Sequence, residues 1–148
     1  MNSYSFPEFM KTFETIKEMS DFEITDKCKE LKIKNFKKVF MRDELRGKSS
    51  RNESLVLNLD DVSGPGTHWT CLYISNNLRY YFDSFGLPPP LEILKYCSNY
   101  ADIKYSDHKI QNIDEKICGQ YSIYVLYKLF HGFDFIDILE ELYINNHK

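Results

Sequence analysis

Cys118 stands at the head of an apolar run, Tyr121 to Phe130, and follows a polar stretch, Lys109 to Lys116. Ile123, Leu126, Tyr127 and Phe130 recur at helical spacing, which predicts a helix with Cys118 in its first turn. The unpaired amides and positive end of a helix favour a thiolate over a thiol. The thiolate is the form that attacks a carbonyl, so the placement suits a nucleophile. Gly119 beside it would leave the backbone open to a substrate. A lone cysteine at such a place is more often a small buried hydrophobe. The partners available elsewhere in the chain decide between the two.

A histidine and a carboxylate are available. His68-Trp69-Thr70-Cys71-Leu72-Tyr73-Ile74 and Arg79-Tyr80-Tyr81-Phe82-Asp83 read as two strands joined at Asn76-Asn77, residues that tolerate the positive φ of a tight hairpin turn. With that turn, Ser75 faces Leu78 and Thr70 faces Asp83. Side chains alternate along a strand, so His68 shares a face with Thr70 and is the diagonal neighbour of Asp83. Packing the Cys118 helix against that face completes nucleophile, base and orienter. His68 would take the thiol proton or hold it as an ion pair, and Asp83 would fix its tautomer. Gln111, in the loop before Cys118, carries an amide that can join the Cys118 N–H in holding an oxyanion. Singly, each residue has a plainer reading: a His-Trp pair that packs, an aspartate that caps a turn, a loop glutamine. Cys71 should point away from His68 into the core. Cys28 and Cys97 read as helical core residues, His108 as a loop residue, His131 as a helix C-terminal residue and His147 as part of the tail. No histidine, cysteine and acid cluster has metal-ligand spacing, so no metal site is expected.

Around these residues the chain reads as helices, a sheet, then helices. Ser5 and Pro7 start a helix carrying Phe9, Phe13 and Ile16. Thr25 would cap a short helix from Asp26 to Leu31. Asn35 to Leu45 reads as an irregular connector and Arg46 to Arg51 as a basic loop. Ser54 to Asp60 is a strand, and Asp61 to Thr67, with Gly64-Pro65-Gly66, a loop. After the hairpin, Pro88-Pro89-Pro90 leads into a helix from about Leu91 to Tyr100. Asp102 to Ser106 is a short strand, and Asp134 to Tyr143 a closing amphipathic helix. The expectation is an α+β fold with a small, mostly antiparallel sheet packed against helices, as one domain over residues 1–148.

Composition agrees with a single core: 148 residues, 43% hydrophobic and 16% aromatic. No apolar run has membrane-spanning length and no signal-peptide pattern opens the chain. The four cysteines match no zinc ribbon or CxxC motif, and all are expected to be reduced. Net charge is −3, yet Lys27 to Arg51 holds ten basic and three acidic residues, a local +7. Such a patch suits a polyanion such as DNA, or equally a solvated surface.

Gly66-Thr67-His68-Trp69, Tyr81-Phe82-Asp83-Ser84-Phe85-Gly86, Gln111 and Cys118-Gly119, in that order, resemble the adenovirus-type cysteine proteases. These process capsid and core proteins during virion maturation, and their clan includes the SUMO-deconjugating proteases. The resemblance spans about Asn58 to Phe130. Asn35 to Leu45 also resembles the versions in virophages and polinton-type elements. It implies a papain-like, adenain-like fold with His68, Asp83 and Cys118 as triad and Gln111 as oxyanion donor. Trp69 and Gly119 would line the substrate site, and small residues, often Gly, would flank the scissile bond. The implied substrates are viral capsid or core precursors, and the implied location is the virion, or the virus factory or nucleus of an infected cell. A monomer without a cofactor is expected, with DNA or a viral peptide as a conceivable activator. The adenovirus enzyme holds its peptide through a cysteine; Tyr100-Ala101-Asp102 has none, so disulfide-linked activation is not expected. Two other readings stand beside this one: a SUMO-type deconjugase (or an acyltransferase) of the clan, and a non-enzymatic capsid or DNA-associated protein.

Overall fold

A computed structural model describes residues 3–60, 68–76, 78–97, 102–111 and 116–146. Two short helices open the chain, α1 (Phe6–Met10) and α2 (Asp21–Glu30). Each starts with a capping box: Ser5 with Glu8, and Ser20 with Glu23. These reciprocal bonds satisfy amides the helix leaves open, which explains why α2 begins at Asp21 and not at the expected Asp26. The spacing of Phe9, Phe13 and Ile16 suggests a longer first helix than forms. Helix α1 stops at Met10, and Ile16 is exposed.

The sheet has five strands in the order β1 (Phe36–Met41), β2 (Asn52–Asn58), β3 (Trp69–Ser75), β4 (Leu78–Phe82) and β5 (Ile103–Tyr105). Its centre is the antiparallel β2–β3–β4 meander, with a parallel strand added at each edge. The stretch read from sequence as an irregular connector contains β1. That strand pairs with β2 across an irregularity between Phe36 and Val39, and it exposes Lys37 and Lys38. Its residues therefore lack clean alternation, and nothing local marks it as a strand. The expected hairpin register is present: Ser75 faces Leu78 and Cys71 faces Phe82, with Asn76 at φ 56°. The loop expected at 61–67 lies outside the described residues.

Helices cover both faces. On one, α4 (Cys118–Phe130) lies against Val56, Trp69, Cys71 and Phe82, surrounded by α1, α2 and α5 (Phe135–Asn146). Every α4 residue from Cys118 to Leu129 is buried, so it is the central helix of the fold. On the other face, α3 (Leu91–Tyr96) brings Ile93 and Tyr96 onto Leu55, Leu57, Leu72 and Tyr81. Strand β2 alternates between the two cores: Val56 to the α4 side, Leu55 and Leu57 to the α3 side. No helix among the described residues is long and apolar enough to cross a membrane.

Candidate active site

The sequence places a histidine just before β3 and an aspartate just after β4, and the register carries them past the end of the sheet together. His68 Nε2 lies 2.7 Å from Asp83 Oδ1, with both residues buried. Asp83 Oδ1 also accepts from the Phe85 amide at 2.8 Å. Among the described residues, Oδ2 has no hydrogen-bond partner. The buried negative charge is therefore compensated chiefly by the imidazole, as a buried charge requires.

Cys118 is the first residue of α4, and no side chain caps that helix start. Its Sγ accepts from the Trp69 amide at 3.4 Å. Burial of the imidazole opposes protonation of His68, but hydrogen bonding and charge from Asp83 and Cys118 outweigh it. The pKa of His68 rises from 6.5 to about 9. Because Nε2 is committed to Asp83, Nδ1 is the nitrogen available to the thiol. The helix start, the Trp69 N–H and the imidazole thus converge on the Cys118 sulfur.

One element of the sequence reading changes. Helix α4 packs on the Trp69 and Cys71 face of β3, not on the Thr70 face that His68 shares by alternation. The three candidate residues do not assemble on a sheet face. They meet at the sheet's end, where Cys118 reaches past the Trp69 backbone to His68. The opposite face was already filled by α3 and its apolar partners.

Gln111 is fully buried and held to the turn after Asp83. Its backbone N–H donates to Ser84 O at 2.9 Å, and Ser84 Oγ donates to the side-chain Oε1 of Gln111 at 2.5 Å. Trp69 and Gly119, expected to line the substrate site, sit deeper than that. Trp69 is 4% exposed and donates its indole N–H to Met19 O at 3.0 Å. A Cβ on Gly119 would meet Met19, Ile24 and Trp69 side chains at 3.3–3.4 Å, so this glycine faces a packed interior. Trp69 meets the candidate site through its backbone: its N–H reaches Cys118, and its carbonyl accepts from Ser122 Oγ at 3.2 Å.

Sequence reasoning missed Phe85. Its ring stacks on the His68 imidazole at 4.1 Å between centroids and 5° between planes. The signal was available: the count that sets Thr70 opposite Asp83 also sets His68 opposite Phe85. The remaining cysteines are core residues. Burial raises Cys28 to about 12 and Cys97 to about 11, and it raises Cys71 well above the ordinary thiol value. Among the described residues, no group of histidine, cysteine and acidic side chains is arranged to hold a metal ion.

No protein-family model and no curated protein sequence matches the chain. Solved structures do match. Two crystal structures of the ASFV pS273R protease align with TM-scores of 0.61 and 0.50, at 16% and 19% identity. They cover 87% and 67% of this chain, which in turn spans 66% and 44% of theirs. The SUMO protease Ulp1, with its catalytic cysteine oxidized to a sulfinic acid, aligns at 0.53 with 15% identity, over 96% of this chain and 80% of its own. The fold is thus that of the SUMO-protease-like cysteine proteases, as the resemblance in the sequence implies.

Proposed function

We propose that this chain is a cysteine endopeptidase, with Cys118 as nucleophile, His68 as base and acid, Asp83 as orienter and Gln111 as oxyanion donor. The observation that carries the reading is the buried relay from Asp83 Oδ1 through the His68 imidazole to a thiol at the start of α4.

In the first step the Cys118 sulfur forms a bond to the scissile carbonyl carbon, and the carbonyl π electrons move onto oxygen. The Cys118 N–H at the helix start and the Gln111 amide receive that oxyanion. The intermediate then collapses: the C–N bond breaks, and the leaving amine takes the proton from His68 Nδ1. A thioester remains. Water attacks it, giving a proton to His68, and the C–S bond breaks to release the acid and restore the thiolate–imidazolium pair.

The proposed substrates are capsid or core precursors of a virus, and the proposed place of action is the virion or the infected cell. The likeness to a viral protease and the sequence resemblance support this. Coexpression with the precursors of its source, for the wild type and for Cys118→Ala, tests it. Cleavage only with the wild type supports the reading; no cleavage, with or without added DNA, overturns it.

A second reading is favoured by the near-complete overlap with Ulp1: cleavage at the end of a folded ubiquitin-like protein. Processing of a SUMO-type precursor in preference to capsid precursors would select it. DNA remains a proposed activator. Lys29, Lys32, Lys34, Lys38, Arg46, Lys48 and Arg51 are exposed, whereas Lys27 is buried against Glu30 and Arg42 pairs with Glu92. Salt-sensitive DNA binding supports that role, and no binding at low salt removes it.

A further inference from the structure

We propose that Ser84 is the positioning residue that gives Gln111 its oxyanion-binding orientation. The inference rests on the peptidase reading above and gives Ser84 a role that the resemblance does not assign. Three bonds join Ser84 to the Gln111 segment. Its carbonyl accepts from the backbone N–H of Ile110 at 2.8 Å and of Gln111 at 2.9 Å, and its hydroxyl donates to the side-chain Oε1 of Gln111 at 2.5 Å. Both side chains are fully buried.

A carboxamide has one accepting end and one donating end, in a fixed plane. An oxyanion needs the donating end. With Oε1 fixed on the Ser84 hydroxyl, the Nε2 hydrogens are turned to the other side. Rotating the side-chain carboxamide would break a buried hydrogen bond and leave its partners unsatisfied. Ser84 also follows Asp83 directly, so one turn fixes the imidazole on one side and the oxyanion donor on the other. Gly86 lets that turn close on the Gln111 segment. Its φ is +75°, and a Cβ there would fall 2.8 Å from the His108 carbonyl carbon.

Two probes separate this role from a merely structural one. Iodoacetamide alkylation of Cys118 needs the thiolate but forms no oxyanion. Inhibition by a peptide ending in Gly-glycinal forms a hemithioacetal whose oxygen occupies the oxyanion position. Ser84→Ala is expected to weaken the aldehyde about tenfold or more and to lower kcat on a Gly-Gly aminocoumarin peptide by a similar factor, with KM little changed. The alkylation rate should stay within about twofold, and in a Gln111→Ala background Ser84→Ala should cost nothing further.

Equal losses in both backgrounds, or alkylation falling in step with kcat, would overturn the role. If Ser84→Ala does not fold, Ser84→Cys, which keeps a weak donor, is read in the same way. A wild type that is neither alkylated at Cys118 nor inhibited by the aldehyde overturns the peptidase reading itself. Unchanged aldehyde affinity in Ser84→Ala overturns only the role of Ser84.

Discussion

Asp83 Oδ1 and His68 Nε2 are 2.7 Å apart in a buried pair, and this contact decides which nitrogen of the imidazole serves Cys118. It also sets the alkaline limit of the site. The His68 pKa of about 9 lies above its ordinary 6.5, so the protonated ring is the favoured form in the fold. The stability it contributes is complete below about pH 6.5 and is lost as pH rises through about 9. In the proposed reaction the leaving amine takes its proton from that ring, so the alkaline limb of kcat/KM is expected near pH 9. Asp83→Asn removes the charge and leaves burial less opposed. The limb should move down by about 1–3 units, as measured in pH–rate profiles of the two proteins. An unmoved limb would remove Asp83 from the relay.

Phe85 lies face to face with the same imidazole. Its π face attracts the cationic imidazolium over the neutral ring by about 0.5–1 kcal/mol, and only that difference bears on the pKa. At 1.36 kcal/mol per pKa unit, its removal should lower the alkaline limb by up to about one unit. Phe85→Leu is therefore expected to shift the limb downward and to reduce kcat/KM severalfold. Phe85→Tyr should keep both. The pH profile is the useful readout, because a variant that only loosens the fold would not move it.

The parts of the site that were legible in the sequence are those set by short-range rules. The hairpin count brought His68 and Asp83 together because the turn at Asn76 fixes the register of β3 and β4. The apolar run after Cys118 placed that cysteine at a helix start because helical spacing is local. What was not legible depends on the tertiary arrangement. Strand β1 exists through parallel pairing with a segment 17 to 18 residues away, as in Phe36 with Ser54 and Met41 with Asn58, and its own pattern is irregular. The face that α4 covers is decided by which core α3 fills. Trp69 touches Cys118 and Ser122 through its backbone, which the identity of a side chain does not reveal.

Gly86 is a stability prediction with a functional consequence. A side chain there would have a strained backbone, and its Cβ would meet main-chain atoms of His108 and Lys109 at 2.8–2.9 Å. Backbone cannot move aside as a flexible side-chain end does. Strain of this kind costs about 1–3 kcal/mol, before any displacement of the Gln111 segment. Gly86→Ala should lower Tm by several degrees, on the order of 2–4 °C per kcal/mol for a chain of this size. Thermal melts of the purified variant give the answer, and a melt equal to the wild type would show that the turn accommodates the methyl group.

The four cysteines should separate cleanly by reactivity. Cys28, Cys71 and Cys97 are free, buried and shifted upward by that burial, so near neutral pH they are inert thiols. Cys118 is buried as well, at 5% exposure, but its sulfur faces an imidazole and an amide N–H. Exposure alone would rank all four as unreactive. The charge environment singles out one. Brief treatment of the native protein with iodoacetamide at pH 7 should therefore add one label, located at Cys118 by peptide mass spectrometry. His68→Ala should slow that labelling by about tenfold or more, since the positive partner of the thiolate is gone. In denaturant all four should react. A native label spread over several cysteines, or one insensitive to His68→Ala, would mean that the pair is not preformed.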